Sequence, residues 1–151
     1  MTPAIRPLAA DETAAVRTLL LDSGLPVDDL ASAAIEFRVA VDENQAMLGV
    51  VGIEVFDEAG LLRSLAVVPR ARDRGIGHAL ASSLEADARA RGLRQLVLLT
   101  QTAEAFFARR GYTVIERAAA PAGIQRSAEF RSLCPASAVC MSLLLEPARL
   151  G

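Results

Sequence analysis

Arginines and closely spaced glycines occupy residues 67–80, between an apolar strand pattern and an amphipathic helix pattern. Gly75 and Gly77 allow a tight loop whose backbone N–H groups converge at the N-terminus of the following helix. Such a terminus binds anions, because its first-turn donors are unpaired and the helix dipole favours negative charge. Arg72 and Arg74 add positive charge beside it. The segment therefore predicts an anion-binding site.

Two common phosphate loops do not fit this segment. A dinucleotide fingerprint needs a third glycine where Leu80 stands and an acid about 20 residues on, whereas the next acid is Glu85. A P-loop needs Lys-Ser/Thr after its glycines, and none follows. The remaining pattern, Arg72-x-x-Gly75-x-Gly77, resembles the acyl-CoA loop of the GCN5-related N-acetyltransferases, Q/R-x-x-G-x-G/A. The alternative is a basic surface turn that caps a helix.

Hydrophobic patterning predicts one α/β (α+β) domain over residues 1–151, with a mixed, mostly antiparallel sheet of about six to seven strands. Sequential hairpins come first, and a strand–helix–strand crossover follows the loop. Strands are predicted at 4–8, 37–41, 47–56, 61–68, 93–100, 112–117 and 138–145. Helices are predicted at 11–23, 28–35, 77–91, 103–110 and 121–133.

This order resembles the acetyltransferase fold over essentially the whole chain. The segment 103–112, A-E-A-F-F-A-R-R-G-Y, is similar to the family's second signature, F-Y-x-x-x-G-F. The segments 61–69 and 129–141 resemble the N-acetyltransferases of bacterial arsenic-resistance clusters. A relative in such clusters is linked to amino acids that carry a phosphinic or arsinic group, which implies a toxic amino acid analogue as substrate.

Composition and charge argue against several other classes of protein. The 151 residues are 52% hydrophobic and 23% charged, with a net charge of −2, so a globular domain is expected and a nucleic-acid partner is not. No apolar run is long enough to span a membrane, and the N-terminus lacks a signal-peptide pattern. A cytoplasmic protein is the expectation, and a homodimer stays open.

The resemblance implies acetyl-CoA as co-substrate and a small-molecule amine as acceptor. It implies that the backbone of Leu65, Ala66 and Val67 pairs with the pantetheine arm, as in strand addition. It also implies that the amides of a six-residue loop hold the pyrophosphate. The loop consists of Arg72, Asp73, Arg74, Gly75, Ile76 and Gly77. Simple core packing by the side chains at 65 and 67 is compatible with this role.

The proton-transfer groups are harder to assign. The family often uses the tyrosine of its second signature as general acid, and Phe107 stands there. The only tyrosine, Tyr112, is a catalytic candidate with a core role as the alternative. Glu54 lies in an apolar strand, where a raised pKa would suit a general base; an outward-facing strand residue is the alternative. Protonation of the leaving CoA thiolate by solvent is also compatible with a phenylalanine at position 107.

Arg63 is the candidate for substrate binding. Strand alternation predicts that it shares a face with Leu61, Leu65 and Val67, leading toward the thioester. A guanidinium there would clamp a carboxylate or phosphinate. The alternative is an arginine paired with an acid such as Glu54.

Two rival functions remain open. The first is a non-catalytic acyl-CoA-binding sensor, which Phe107 favours. The second is an arsenic-binding protein that uses Cys134 and Cys140, although such cysteines are more often small core residues.

Overall fold

The computed structural model describes residues 3–146 and contains a seven-stranded sheet in the order β1-β2-β3-β4-β5-β7-β6. The strands are β1 (Ala4–Pro7), β2 (Ile35–Val41), β3 (Met47–Phe56), β4 (Ala59–Val67), β5 (Gln95–Thr100), β6 (Thr113–Val114) and β7 (Val139–Leu144). The helices are α1 (Thr13–Asp22), α2 (Ile76–Ala90), α3 (Glu104–Arg109) and α4 (Ala122–Gln125). Short 3₁₀ turns occupy Ala10–Glu12, Pro69–Ala71 and Arg117–Ala119, and a π-helical turn occupies Glu129–Leu133.

The predicted mixed, mostly antiparallel sheet is confirmed. Among the described strands, only β4 and β5 pair in parallel, and α2 makes the crossover between them. Leu80 of α2 and Phe107 of α3 join the core on one face of the sheet. Leu20 of α1 and Ile124 of α4 pack on the opposite face. Within residues 3–146, no helix is long and apolar enough to cross a membrane.

Three predicted elements differ from the structure. Residues 28–33 form turns and a bend instead of a helix, and β2 already begins at Ile35. The Asp29 carbonyl accepts from the N–H groups of Ser32 and Ala33 without a helix following. The strand predicted at 112–117 is reduced to β6. The helix predicted at 121–133 is split, because the Ser127 hydroxyl accepts from the Phe130 N–H and starts a new turn.

Candidate active site

β4 and β5 pair over a short ladder and then separate, which opens a cleft through the sheet. The ladder runs from Ala59 opposite Gln95 to Leu61 opposite Val97. Beyond this point the two strands continue without pairing with each other, so their facing edges are available to a ligand's amide groups. The cleft has a volume of about 360 Å³. It is lined by Ser23–Pro26, Leu62–Leu65, Leu98–Ala103, Phe107, Leu133–Pro135 and Ala138.

A β-bulge in β4 lies at the floor of the cleft. Between Arg63 and Ala66, β4 has one residue more than the β3 segment it pairs with. Ser64 takes up this extra length with a φ of 60°. A non-glycine residue in this left-handed conformation carries a strain of about 1–2 kcal/mol. Strain of this kind is often found at functional sites, because only a well-determined surrounding structure can hold it.

The bulge reverses the alternation of side chains along β4. Leu61 packs on the α4 side of the sheet, whereas Leu65 and Val67 pack on the α2 and α3 side. The prediction that Arg63 shares one face with all three residues is therefore wrong for Leu65 and Val67. One inserted residue is enough to invert every later side chain, because the side-chain period of a strand is two.

The predicted anion-binding loop forms an open helix N-terminus. Asp73 and Gly75 have φ values of 66° and 76°, and α2 begins at Ile76. Within residues 3–146, no backbone acceptor receives the N–H groups of residues 73 to 78. These donors border a groove of about 470 Å³. The groove is lined by Val67, Ala71, Arg72, Asp73, Gly75, Ile76, Gly77, His78 and Phe106.

Gly77 keeps this groove open. A methyl group built at Gly77 would lie 3.6 Å from the Phe106 ring, an ordinary van der Waals distance. The protein's own packing therefore does not require glycine at this position, and the space beside it remains for a ligand. Of the predicted loop residues, Arg74 alone does not line the groove; it lines a separate pocket together with Arg70.

β4 connects the groove to the cleft. Val67 lines the groove and Leu65 lines the cleft, whereas the intervening Ala66 packs against the α1 side of the core. The Val67 carbonyl accepts from Arg72 Nε at 3.2 Å. A ligand anchored at the N-terminus of α2 would follow the free edge of β4 to the bulge at Ser64.

Arg63 is enclosed by three carboxylates. Its Nη1 donates to Asp29 Oδ2 at 2.6 Å and to Glu54 Oε1 at 2.7 Å, and its Nη2 donates to Asp29 Oδ1 at 2.8 Å. Its Nε lies 3.2 Å from Glu129 Oε2. The side chain of Arg63 is 0% exposed. We call these four residues the Arg63 cluster.

These contacts revise the roles predicted for two residues. The Arg63 guanidinium is not free to clamp an anionic substrate, because it is buried and bound to protein carboxylates. The alternative, an arginine paired with Glu54, matches the observed ion pair. Glu54 itself is bound to Arg63 and does not line the cleft, so this arrangement does not present it to an amine as a base.

Burial and the charges of the Arg63 cluster together shift the pKa values of Arg63 and Glu129. Burial alone would lower the pKa of Arg63, but the hydrogen bonds and charges of Asp29, Glu129 and Glu54 outweigh this effect and raise it. Burial raises the pKa of Glu129 to about 7, against the opposing effect of Arg63 and with further support from Asp29 and Glu54. Glu129 therefore changes charge near neutral pH.

Tyr112 and Phe107 are both core residues. The Tyr112 hydroxyl donates to Glu85 Oε2 at 2.9 Å, and Glu85 also accepts from Arg110 Nη2 at 2.6 Å. Burial, with Glu85 beside it, raises the pKa of Tyr112 well above its ordinary value. Phe107 lines the cleft, and its ring centroid lies 5.2 Å from that of Tyr112. The core alternative for Tyr112 agrees with this geometry.

The two cysteines lie in different surroundings. Cys134 lines the cleft, whereas Cys140 is packed in the core beneath α4. Burial, with Glu129 nearby, raises the pKa of Cys134 to about 12, and burial raises the pKa of Cys140. Both groups stay protonated thiols at neutral pH, which disfavours binding through thiolates.

Three residues of the site escaped the sequence analysis, namely Ser64, Asp29 and Glu129. Ser64 carries no local signal, since left-handed positions usually hold glycine or asparagine. Asp29 and Glu129 resemble ordinary loop and helix acids. Their relation to Arg63 depends on contacts between segments that are distant in the sequence.

The fold and the two cavities agree with a match to a family of known activity. A family model described as an acetyltransferase (GNAT) domain matches residues 33–114, which is more than half of the 151 residues. The chain belongs to this family. A search of curated proteins finds no match.

Solved structures share the fold. The N-acetylglutamate synthase of Neisseria gonorrhoeae, complexed with coenzyme A and N-acetyl-glutamate, has a TM-score of 0.82 at 20% identity over 97% of this chain. The chain spans 36% of the length of that synthase. Rv2747 of Mycobacterium tuberculosis, in complex with CoA, has a TM-score of 0.74 at 27% identity and covers 95% of this chain and 100% of its own. The ribosomal-protein-S18-alanine N-acetyltransferase of Escherichia coli has a TM-score of 0.73 at 17% identity. The match covers 97% of this chain and 96% of that enzyme.

Proposed function

We propose that this protein is an acetyl-CoA-dependent N-acetyltransferase that acts on the amine of a small molecule. The observation that carries the proposal is the continuity between the amide-lined groove at the N-terminus of α2 and the cleft between β4 and β5. The groove suits a pyrophosphate, and the free edge of β4 suits an amide-bearing arm. The family match supports the same assignment.

In the proposed reaction, the thioester lies beside the bulge at Ser64. The amine nitrogen attacks the thioester carbonyl carbon, the C–N bond forms, and the C–S bond breaks as the tetrahedral intermediate collapses. Holding the two reactants in one narrow cleft supplies most of the catalysis expected here, because it replaces a bimolecular encounter by a positioned one. The amine reaches the thioester from the side formed by Ser23–Pro26 and Leu133–Pro135.

Proton transfer in this proposal relies on water. Among the described residues, the cleft lining includes no Asp, Glu, His or Tyr. The amine therefore enters as the free base or gives its proton to solvent, and solvent protonates the leaving thiolate. The rate is accordingly expected to rise with pH as the free-base fraction of the amine grows.

For the acceptor, we propose an amino acid analogue of the type linked to arsenic-resistance clusters. The support is the resemblance carried by residues 61–69 and 129–141. Since the Arg63 guanidinium is bound to three carboxylates, an anionic group on such a substrate has to find other donors. The cleft lining includes the neutral polar residues Ser23, Thr100, Gln101 and Thr102.

Turnover tests the proposal directly. Release of free CoA thiol from acetyl-CoA is measured across a panel of amines with and without an anionic group. We expect amine-dependent release and an N-acetylated product. Tight CoA binding without any release would instead support the acyl-CoA sensor that Phe107 favours. Stabilisation by arsenite that is lost in Cys134→Ser would support the arsenic-binding alternative.

A further inference from the structure

The Arg63 cluster combines more negative than positive charge in the protein interior. Each of its four residues is 7% exposed or less. Burying charge is unfavourable unless it is balanced, and here one cation faces three acids. A protein that needed only stability would do better with fewer acids at this place. The excess calls for a functional reason.

The cluster joins both sides of the cleft at its floor. Asp29 follows the Ser23–Pro26 wall by three residues, and Glu129 belongs to the π-helical turn that leads into the Leu133–Pro135 wall. Arg63 lies beside the bulge and also donates through Nε to Ser64 Oγ at 3.3 Å. One guanidinium therefore connects the segments that lead to the two acceptor-side walls with β4, beside which the thioester is proposed to lie. π-helical turns occur frequently at functional sites.

We propose that the Arg63 cluster is an ionic lock that sets the shape of the acceptor side of the cleft, and that Glu129 is its positioning residue, holding the Leu133–Pro135 wall in the amine-binding position when ionised. This inference rests on the proposed acetyltransferase function. Glu129 does not touch the amine and acts only through the wall that it anchors.

The charge on Glu129 determines how firmly this wall is held. The ionised Glu129 carboxylate is attracted to the Arg63 guanidinium, whose Nε lies 3.2 Å from Oε2, and protonation of Glu129 removes this attraction. The charged groups facing Glu129 are Arg63, Asp29 and Glu54, with the Cys134 thiol beside it. Arg117 acts on the same wall from outside, where its guanidinium donates to the carbonyls of Pro135 and Ala138.

Glu129→Gln tests the lock because it keeps the shape and removes the charge. We expect KM for the amine to equal the wild-type value at pH 6 and to exceed it about fivefold at pH 8.5, the effect of about 1 kcal/mol. The KM for acetyl-CoA and kcat should change less than twofold at both pH values. The variant should also be more stable than wild type at pH 8.5, because it removes excess buried negative charge.

Two further variants complete the test. Asp29→Asn loosens the opposite wall and should also raise KM for the amine without affecting KM for acetyl-CoA. Glu58→Gln makes the same chemical change at an exposed side chain and should match wild type. The lock is refuted if the KM ratio for Glu129→Gln does not change with pH, if KM for acetyl-CoA rises equally, or if only kcat falls. A wild-type protein that acetylates no amine would instead refute the proposed function, and the lock with it.

Discussion

Arg63 illustrates how the role of a side chain depends on its partners. Replacing it with alanine would leave Asp29, Glu54 and Glu129 buried without a counter-charge. Removing one partner of a buried ion pair typically destabilises a protein by about 3–5 kcal/mol. We therefore expect Arg63→Ala to lower the free energy of unfolding by about that amount in urea denaturation. A folded variant of normal stability, with weaker binding of anionic amines alone, would restore the substrate-clamp prediction.

Tyr112 gives a second prediction for a single residue. Tyr112→Phe removes the hydroxyl that donates to Glu85, while Arg110 still neutralises that carboxylate. We expect kcat to stay within about twofold of wild type, since no general acid is lost. The free energy of unfolding should fall by about 1.5–3 kcal/mol, the usual contribution of a hydrogen bond to a charged group. A loss of the order of a hundredfold in kcat would instead identify Tyr112 as the general acid.

At the level of the element, the bulge in β4 lies beside the cleft and inverts the alternation of side chains along the strand. Ser64 holds it in a left-handed conformation that β-branched residues adopt with difficulty. Ser64→Val is expected to lower the free energy of unfolding by about 1–2 kcal/mol and to reduce acetyl transfer. Ser64→Gly relieves the backbone strain and is the matched control, with activity close to wild type. Equal thermal stability of both variants would argue against a strained bulge.

The loop before α2 supports a prediction about the cofactor. Gly77→Glu adds bulk and negative charge where the unpaired amides face the groove. CoA binding measured by titration calorimetry should weaken at least about tenfold, equivalent to 1.4 kcal/mol. Ala86→Glu places the same charge on an exposed position of α2 and should leave the affinity unchanged. Unchanged affinity in a folded Gly77→Glu variant would remove the groove as the CoA site.

For the molecule as a whole, the features that the sequence predicts correctly are those set by neighbouring residues. Glycines and hydrophobic spacing marked the loop and α2 within one or two residues, and the crossover defined the parallel strand pair. The prediction for Arg63 was wrong because one extra residue, at the Ser64 bulge, inverts the alternation of side chains along β4. The ion pairs of Arg63 were also not predicted in full, because Asp29 and Arg63 are 34 residues apart in the sequence. Such contacts become visible only when the sheet is assembled.

The pH dependence of stability follows from two carboxyl groups that shift in opposite directions. The hydrogen bonds from Arg6 and from the Ala9 N–H lower the pKa of Glu12 from 4.5 to about 2, whereas burial raises the pKa of Glu129 from 4.5 to about 7. The stabilisation from Glu12 is complete above pH 4.5 and is lost as the pH falls toward 2, because the unfolded chain binds the proton first. For Glu129 the folded state binds the proton first. Its contribution is therefore complete below pH 4.5 and is lost as the pH rises through 7.

These opposite signs are tested by urea denaturation between pH 2 and pH 8.5. The stability of Glu129→Gln relative to wild type should increase from pH 4.5 to 7 and then level off. The advantage of wild type over Glu12→Gln should shrink as the pH falls from 4.5 toward 2, and salt should reduce it, because the Glu12 ion pair with Arg6 is partly exposed. A Glu129→Gln curve parallel to wild type at every pH would show that Glu129 titrates alike in the folded and unfolded states. Glu129 would then be ionised throughout the neutral range, and the ratio of amine KM between Glu129→Gln and wild type should not change from pH 6 to pH 8.5.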